Sequence, residues 1–429
     1  MTLLRTDRTD TLVPVGDRAA PAQLDRFVEA MHPGLMGPRL TAALGGAELP
    51  CHVLDAKYEP GVRAMLLYRR GGDLLTGELL QDPEPSGVVV APGVQVLAFP
   101  QDQGMPTLAR VADRDVLGRA LAEAVAPPSY LRARCRTRLL RYRPGKRATF
   151  LAALGGDRAR YVVKAYHDAQ KAAAVAAEAP ALSSAASGAG TLEFAPVVAH
   201  LPALRVVVQR AVPGRPLDVL LGCAGEPAAT AAVVTAARAL AEFHGLAAVT
   251  VRKRSVDREL RRFRSRAFGI AAADPRAGEV LLALAERLLI RYQDLPLTRP
   301  GLVHGDCTPG QFRLDGGRIF LTDLDHVGLS DQAVDVGTFL ASLRQIEIRR
   351  LGRASARPGA RIPALAASFL ETYRQVRAQP VEPARVRWHE AAALERKALR
   401  AFARAPRSPL APALAAAAHR CLDELEEGR

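Results

Sequence analysis

His304-Gly305-Asp306-Cys307-Thr308-Pro309-Gly310-Gln311 and, a little further on, Leu321-Thr322-Asp323-Leu324-Asp325 decide how this chain of 429 residues is read. Gln311 follows Asp306 by five positions and Asp323 follows it by 17. Three oxygen-bearing side chains at fixed spacing, on segments rich in turn residues, suit two tasks at once. A carboxylate can orient a hydroxyl and accept its proton, while further carboxylate and amide oxygens hold a hard divalent cation.

Phosphoryl transfer asks for that combination. It needs one acid to orient the acceptor and oxygen ligands to hold Mg²⁺ on the phosphates. The spacing matches a kinase catalytic loop and the hairpin after it, with Gln311 where Asn is usual and His-Gly-Asp in place of His-Arg-Asp. With these residues and the acidic tail Asp323-Leu-Asp-His-Val-Gly-Leu-Ser-Asp331-Gln-Ala-Val-Asp335, the chain resembles the aminoglycoside phosphotransferase-like kinases. That family includes choline, homoserine, maltose and glucosamine kinases, and a Gln at the metal position also occurs in its maltokinase-like branch. The resemblance implies an α+β, protein-kinase-like bilobal fold, with an antiparallel β N-lobe, a helical C-lobe and an N-terminal α/β cap domain. It also implies an ATP- and Mg²⁺-dependent phosphotransferase. Asp306 is then the catalytic acid, and Gln311 and Asp323 are the metal ligands. Asp325 either binds a second metal or the substrate, or is a structural acid. A sugar or amino sugar is the expected small-molecule acceptor. An aminoglycoside-type antibiotic kinase and a non-catalytic pseudokinase or scaffold are the alternatives.

Composition narrows the remaining classes. The net charge is +15, but only six residues are Lys and none is Asn, so Arg carries nearly all the positive charge. Such a bias reads as coding composition. No basic stripe interleaves with aromatics, which argues against a nucleic-acid partner. Five scattered Cys without a CxxC pair fit a reduced, cytoplasmic protein with no disulfide framework or zinc site. The N-terminus, with Arg5, Asp7, Arg8 and Asp10, lacks the apolar segment of a signal peptide. No run of apolar residues is long enough for a membrane span. Neither GxxxxGK[ST] nor GxGxxG occurs, which argues against P-loop and Rossmann folds.

An internal repeat lies at an offset of 84 residues. Tyr58-Glu-Pro-Gly-Val-Arg63 through Gly-Gly-Asp73 aligns without gaps on Tyr142-Arg-Pro-Gly-Lys-Arg147 through Gly-Gly-Asp157, with nine of 16 positions identical. Each copy reads as strand, Pro-Gly turn, strand, Gly-Gly-Asp turn, strand. Either a β-meander has been duplicated, or two hairpins share turn chemistry. Only the second copy continues into Tyr161-Val-Val-Lys164-Ala-Tyr166, where Lys164 aligns with Leu80. A Lys in an apolar strand needs a partner. Kinases use such a Lys to hold the α/β-phosphates, steadied by a helix Glu. The helix expected from Asp168 to Ala181 supplies Glu178, with Glu193 a weaker competitor.

Residues 1–127 therefore read as a cap or accessory domain, 128–212 as the kinase N-lobe and 213–429 as the helical C-lobe. The turn Arg143-Pro144-Gly145-Lys146-Arg147 is a candidate phosphate cover, or an ordinary hairpin turn. Gly145 would admit the backbone to a phosphate, and Lys146 or Arg147 would add charge. The resemblance makes Gln209 to Val212 the hinge whose backbone holds adenine. His304 is expected to brace the loop, and Asp335 to cap a helix running from Val336 to Arg349. His244 reads as a packed helix-end histidine. Arg252-Lys253-Arg254 reads as a solvated face, or as a cluster near the ligand. On the acceptor side Trp388 and Glu390 are the polar or aromatic candidates, beside Glu347, Glu371, His389 and Glu395. Trp388 either stacks on a sugar ring or packs in the core.

Overall fold

The computed structural model describes residues 19–80, 87–125, 135–155, 159–186, 190–247, 250, 252–352, 361–377 and 381–427. The sequence-derived boundary at 127/128, the loop Pro83–Ser86 and most of the Gly-Gly-Asp157 turn lie outside them. Two compact units result, each drawn from three stretches of chain.

The first unit holds residues 1–98, 261–285 and 398–412. Helices α1 (Ala19–Ala30) and α2 (Pro33–Leu44) precede strands β1 (Cys51–Glu59), β2 (Arg63–Arg70), β3 (Asp73–Leu79), β4 (Val88–Ala91) and β5 (Val94–Ala98). These strands form an antiparallel sheet in the order β1-β2-β3-β5-β4. Phe27 stacks on Tyr58 at 5.0 Å between centroids, and the Tyr68 hydroxyl donates to Ala30 O at 2.8 Å. Tyr68 thus buries its ring while its polar end is satisfied.

The second unit begins with α3 (Leu108–Ala112) and α4 (Arg114–Val125), then strands β6 (Arg136–Arg143), β7 (Arg147–Leu154) and β8 (Ala159–Tyr166). Helix α5 (Ala169–Ala186) and strands β9 (Leu192–Phe194), β10 (Val197–Leu201) and β11 (Val206–Arg210) follow. The sheet order is β6-β7-β8-β11-β10, the same as in the first unit, and α5 is inserted between its third and fourth strands. The Pro-Gly turns also correspond, with Gly61 at φ 70° and Gly145 at φ 65°. The repeat seen in sequence is therefore a repeat of a whole five-stranded sheet.

The helical part contains β12 (Arg215–Pro216), α6 (Leu217–Cys223), α7 (Glu226–Gly245), α8 (Val256–Ala273), α9 (Pro275–Gln293) and strands β13 (Gly301–Val303), β14 (Phe312–Asp315), β15 (Arg318–Leu321) and β16 (Gly328–Ser330). Helices α10 (Ala333–Leu351), α11 (Arg361–Val376), α12 (Pro383–Arg404) and α13 (Leu410–Glu427) close the chain. Helix α7 buries Ala229, Val233, Ala236, Leu240 and His244 at helical spacing. From Ala333 to Leu343 every residue of α10 is buried, so it is the central helix of this part. Phe312, Phe339 and Phe369 pack in series, at 5.8 Å and 4.0 Å between centroids. The β14–β15 hairpin and the antiparallel β13–β16 pairing carry the loops of Asp306 and Asp323.

Candidate active site

Asp306 follows β13 directly, and the loop that carries it is pinned from two sides. Asp335, fully buried in the first turn of α10, accepts the N–H of His304 at 2.6 Å and of Gly305 at 2.8 Å. His304 in turn reaches Thr322 O through Nε2 at 2.9 Å, and its Nδ1 receives the Asp306 N–H at 3.3 Å. His304 braces the loop in the manner expected. Asp335 is not the expected helix cap. The helix begins at Ala333, whose N–H is taken by Asp331 at 3.0 Å, and this leaves Asp335 to hold the loop.

His244, at the end of α7, completes this brace. Its Nε2 is 3.1 Å from Asp335 and its Nδ1 2.7 Å from the Tyr373 hydroxyl. Burial pushes its pKa down against the pull of Asp335, so the ring is neutral near pH 7. A neutral ring donating from Nε2 to Asp335 and accepting from Tyr373 satisfies all three groups. Burial alone would raise the Asp335 carboxyl; the bonds from His244 and His304 outweigh it and lower it.

Strand register gathers the cations. Arg147 pairs with Tyr166 and Thr149 with Lys164, so Arg147, Lys164 and Tyr166 share one face of the sheet. Lys164 Nζ donates to Asp323 at 2.9 Å and Asp325 at 3.1 Å. Arg147 takes both oxygens of Asp323, at 3.0 and 3.2 Å, and also bonds Asp325. The Tyr166 hydroxyl donates to Asp325 at 3.1 Å. Two carboxylates thus face two cations in a largely buried cluster. Burial favours a neutral Asp323, but Lys164 and then Arg147 override it and hold the carboxyl far below the usual range. The same acids raise the Arg147 pKa against the effect of burial. Burial, then Asp325, pushes the Tyr166 phenol up. Asp323 sits at φ 62° and ψ 55°, a left-handed conformation that Asp adopts at modest cost.

Gln311 lies one residue-pair away. Thr322 donates its N–H to Gln311 O at 2.9 Å, and its hydroxyl is 3.3 Å from Gln311 Oε1. The donors offered near Asp306 are carboxylate and amide oxygens, which suit a hard cation. Among the described residues no group of three or more His, Cys, Asp and Glu forms a metal cage. A site of one or two carboxylates, completed by phosphate oxygens, is how Mg²⁺ is ordinarily bound beside a nucleotide.

Several expected positions fall elsewhere. Glu178 is not the partner of Lys164: it accepts from Thr250 Oγ1 at 2.8 Å and pairs with Arg252. Two acids on the far hairpin outcompete one helix Glu for the ammonium. Gly145 does not offer its N–H to a phosphate, because Asp102 accepts it at 2.7 Å together with the Tyr142 hydroxyl. The acid of Asp102 makes that turn a poor anion cradle, and Lys146 lies in the same pinned turn, its N–H on Arg143 O. Within the proposed hinge Gln209 is buried, the Arg210 N–H donates to Pro196 O and the Ala211 N–H to Arg160 O, just before Val212. Trp388 is fully buried with its Nε1 on Leu288 O at 2.9 Å, so it cannot stack on a substrate. Glu390 is buried against Arg344 and Arg387, and His389 and Glu395 are buried too.

Sequence reading passed over Tyr166, Thr322 and Asp102. Tyr166 had a signal, since it lies two residues from Lys164 and therefore on its face. Thr322 and Asp102 act through contacts that no local pattern announces.

A loop acid pinned by its neighbours and a strand Lys paired with the hairpin acids, in a mixed helix-and-sheet fold, are what a kinase-like phosphotransferase presents. Residues 143–378 match the model of the phosphotransferase enzyme family, more than half of the chain, and the chain belongs to that family. No curated protein matches it in sequence. Among solved structures, an aminoglycoside phosphotransferase, APH(4)-Ia, is 13% identical, with 72% of this chain and 97% of that one covered at a TM-score of 0.50. A glucosamine kinase in complex with glucosamine, ADP and inorganic phosphate is 18% identical, covering 93% and 98% at 0.45. A choline/ethanolamine kinase family protein from Mesorhizobium loti is 16% identical, covering 75% and 94% at 0.46. At 13% identity the likeness to APH(4)-Ia is one of fold alone. No helix among the described residues is long and apolar enough to cross a membrane.

Proposed function

We propose that this enzyme moves the γ-phosphate of ATP to a hydroxyl of a small molecule, a sugar or a derivative of one such as an amino sugar, in the cytoplasm. The reading is carried by one observation: the loop bearing Asp306 is locked to α10 and to Thr322, the neighbour of Asp323, so acceptor acid and oxygen donors keep a fixed relation. Asp306 orients the acceptor hydroxyl and receives its proton as the oxygen bonds to phosphorus. The bond from the γ-phosphorus to the bridging oxygen breaks, and its electron pair leaves on ADP. Bound Mg²⁺, held by Asp323 with Gln311 and Asp325 in reach, would neutralise developing phosphate charge. Lys164 and Arg147 are placed to turn from the carboxylates to phosphate oxygens, Arg147 through a planar fork that matches them. Fixed geometry supplies most of the acceleration in such a reaction.

A coupled ADP-release assay across sugars, amino sugars and aminoglycosides tests this reading. Asp306→Asn should lower kcat by about 100-fold or more while Mg·ATP still raises the melting temperature. Asp323→Ala should lose that thermal shift. Undiminished turnover by Asp306→Asn would overturn the assignment. Absence of any thermal shift with Mg·ATP in the wild type would favour a scaffold without catalysis.

A further inference from the structure

The cations of the segment 252–254 have different fates. Arg252 neutralises Glu178. Arg254 finds no carboxylate within ion-pair distance among the described residues, and the one hydrogen bond its side chain makes among them runs from Nη1 to His326 O at 3.3 Å. Its guanidinium stands directly over Gly305, where an added Cβ would lie 2.6 Å from Nη1. Gly305, at φ 78°, leaves a gap beside Asp306 that Arg254 fills from another segment. The acids around it are already engaged. Glu259 pairs with Arg396 at 2.7 Å, and Asp335 holds the loop. Burial and the Arg396 charge disfavour the Arg254 cation more than Glu259, Asp335 and Asp306 compensate it.

A half-buried guanidinium has five N–H donors, and one backbone oxygen does not satisfy them. None of the Arg254 nitrogens is buried without a partner, so its remaining donors open to solvent, where an incoming anion can reach them.

We propose that Arg254 forms an anion-binding position beside Asp306 for an acidic group of the acceptor. The substrate class is then hydroxyl compounds that carry a carboxylate or phosphate, such as sugar acids, and not polycationic aminoglycosides. This rests on the kinase reading above and narrows its acceptor. Arg254 is a specificity residue here, distinct from the acid that receives the proton.

The test uses the full chain and a matched set of acceptors: glucose, glucosamine, gluconate, glucuronate and kanamycin. An acid-bearing member should be used with kcat/KM about tenfold or more above its neutral and amino counterparts. Arg254→Gln should raise KM for that acid about 30-fold, with Mg·ATP affinity by calorimetry kept within about twofold, and Arg254→Lys should recover part of the loss. Preference for the neutral, amino or aminoglycoside member would overturn the inference. An equal fall in kcat for every acceptor with KM unchanged would also overturn it, since Arg254 would then serve the transferring phosphoryl group. If no member is turned over, gluconate and glucuronate are titrated into the ADP-loaded protein. Binding that Arg254→Gln abolishes supports the assignment, and no binding at millimolar concentration overturns it. A wild type that fails to bind Mg·ATP overturns the kinase reading itself, and this inference with it; a wild type that binds Mg·ATP without acid preference overturns this inference alone.

Discussion

Asp323 and Asp325 each face two cations, and the four side chains form a neutral set in which no member can be removed alone. Breaking a buried ion pair by deleting one partner leaves an uncompensated charge and costs about 3–5 kcal/mol. Asp325 is the more closed of the two acids, with no exposed side-chain surface. Asp325→Ala should therefore lower stability in urea by about that amount, and more than Asp323→Ala does, because it also strands the Tyr166 hydroxyl. Arg147 works in the opposite direction for metal. It occupies both oxygens of Asp323. Arg147→Ala should cost folding stability and yet bind Mn²⁺, read by calorimetry without nucleotide, about tenfold more tightly than wild type. Equal Mn²⁺ affinity in the two proteins would show that the guanidinium does not compete with a cation there. Lys164 was legible in sequence because Lys is so rare in this chain. Arg147 was legible only as a candidate for the phosphate cover; its pairing with Asp323 and Asp325 was not, since the first copy keeps Arg63 at the same place and nothing local separates the two.

Elements add a second layer, and its weak point is the joint between β16 and α10. Asp331 holds the Ala333 N–H, His389 at 3.0 Å and Arg385 together. Burial would raise its carboxyl, yet the His389 bond, with the Ala333 N–H and Arg385, brings it down to about 2. A carboxylate with a folded pKa below its unfolded value of about 3.9 contributes stability above the unfolded value and loses it as pH falls through the folded one. Asp331 should thus contribute about 2–3 kcal/mol that disappears between about pH 4 and pH 2. In Asp331→Asn the acid limb of the stability curve should be flatter over that window, by thermal melts at several pH values. An unchanged limb would remove Asp331 from the account. At this scale the sequence was largely informative. Pro-Gly and Gly-Gly turns marked the strands, and Ala-rich spacing marked α7. Partner choice was not legible, because it is settled between segments far apart in the chain. Glu178 finds Arg252 rather than Lys164, 74 residues away in one direction rather than 14 in the other. Trp388 and Glu395, seven residues apart on α12, fall on one buried helix face, so periodicity favours core over sugar platform.

Among the sheets of the described residues two are five-stranded with the same strand order, and the second of them carries the additional helix α5 and Lys164. The likeness of order makes duplication the simpler account of the 84-residue offset, and it explains why only one sheet needs a strand Lys. A cap over residues 1–127 remains a proposal, and the first compact unit does not end its membership at residue 98. It recruits 261–285 and 398–412, through Arg266 on Glu59, Arg404 on Asp55 and Arg407 on Asp25. Those returning stretches bury Phe263, Ile270, Leu281, Leu284 and Phe402. Burial of such side chains stabilises by roughly 1.5–3 kcal/mol each, and the net stability of a domain is only about 5–15 kcal/mol. A chain shortened to residues 99–429 would leave the returning stretches without the remainder of their unit. It should therefore aggregate, or melt at least about 10 °C below the full chain, where a detachable accessory domain would leave the melting temperature unchanged. A soluble 99–429 protein with the full-length melting temperature would show that residues 1–98 are not needed to complete that unit.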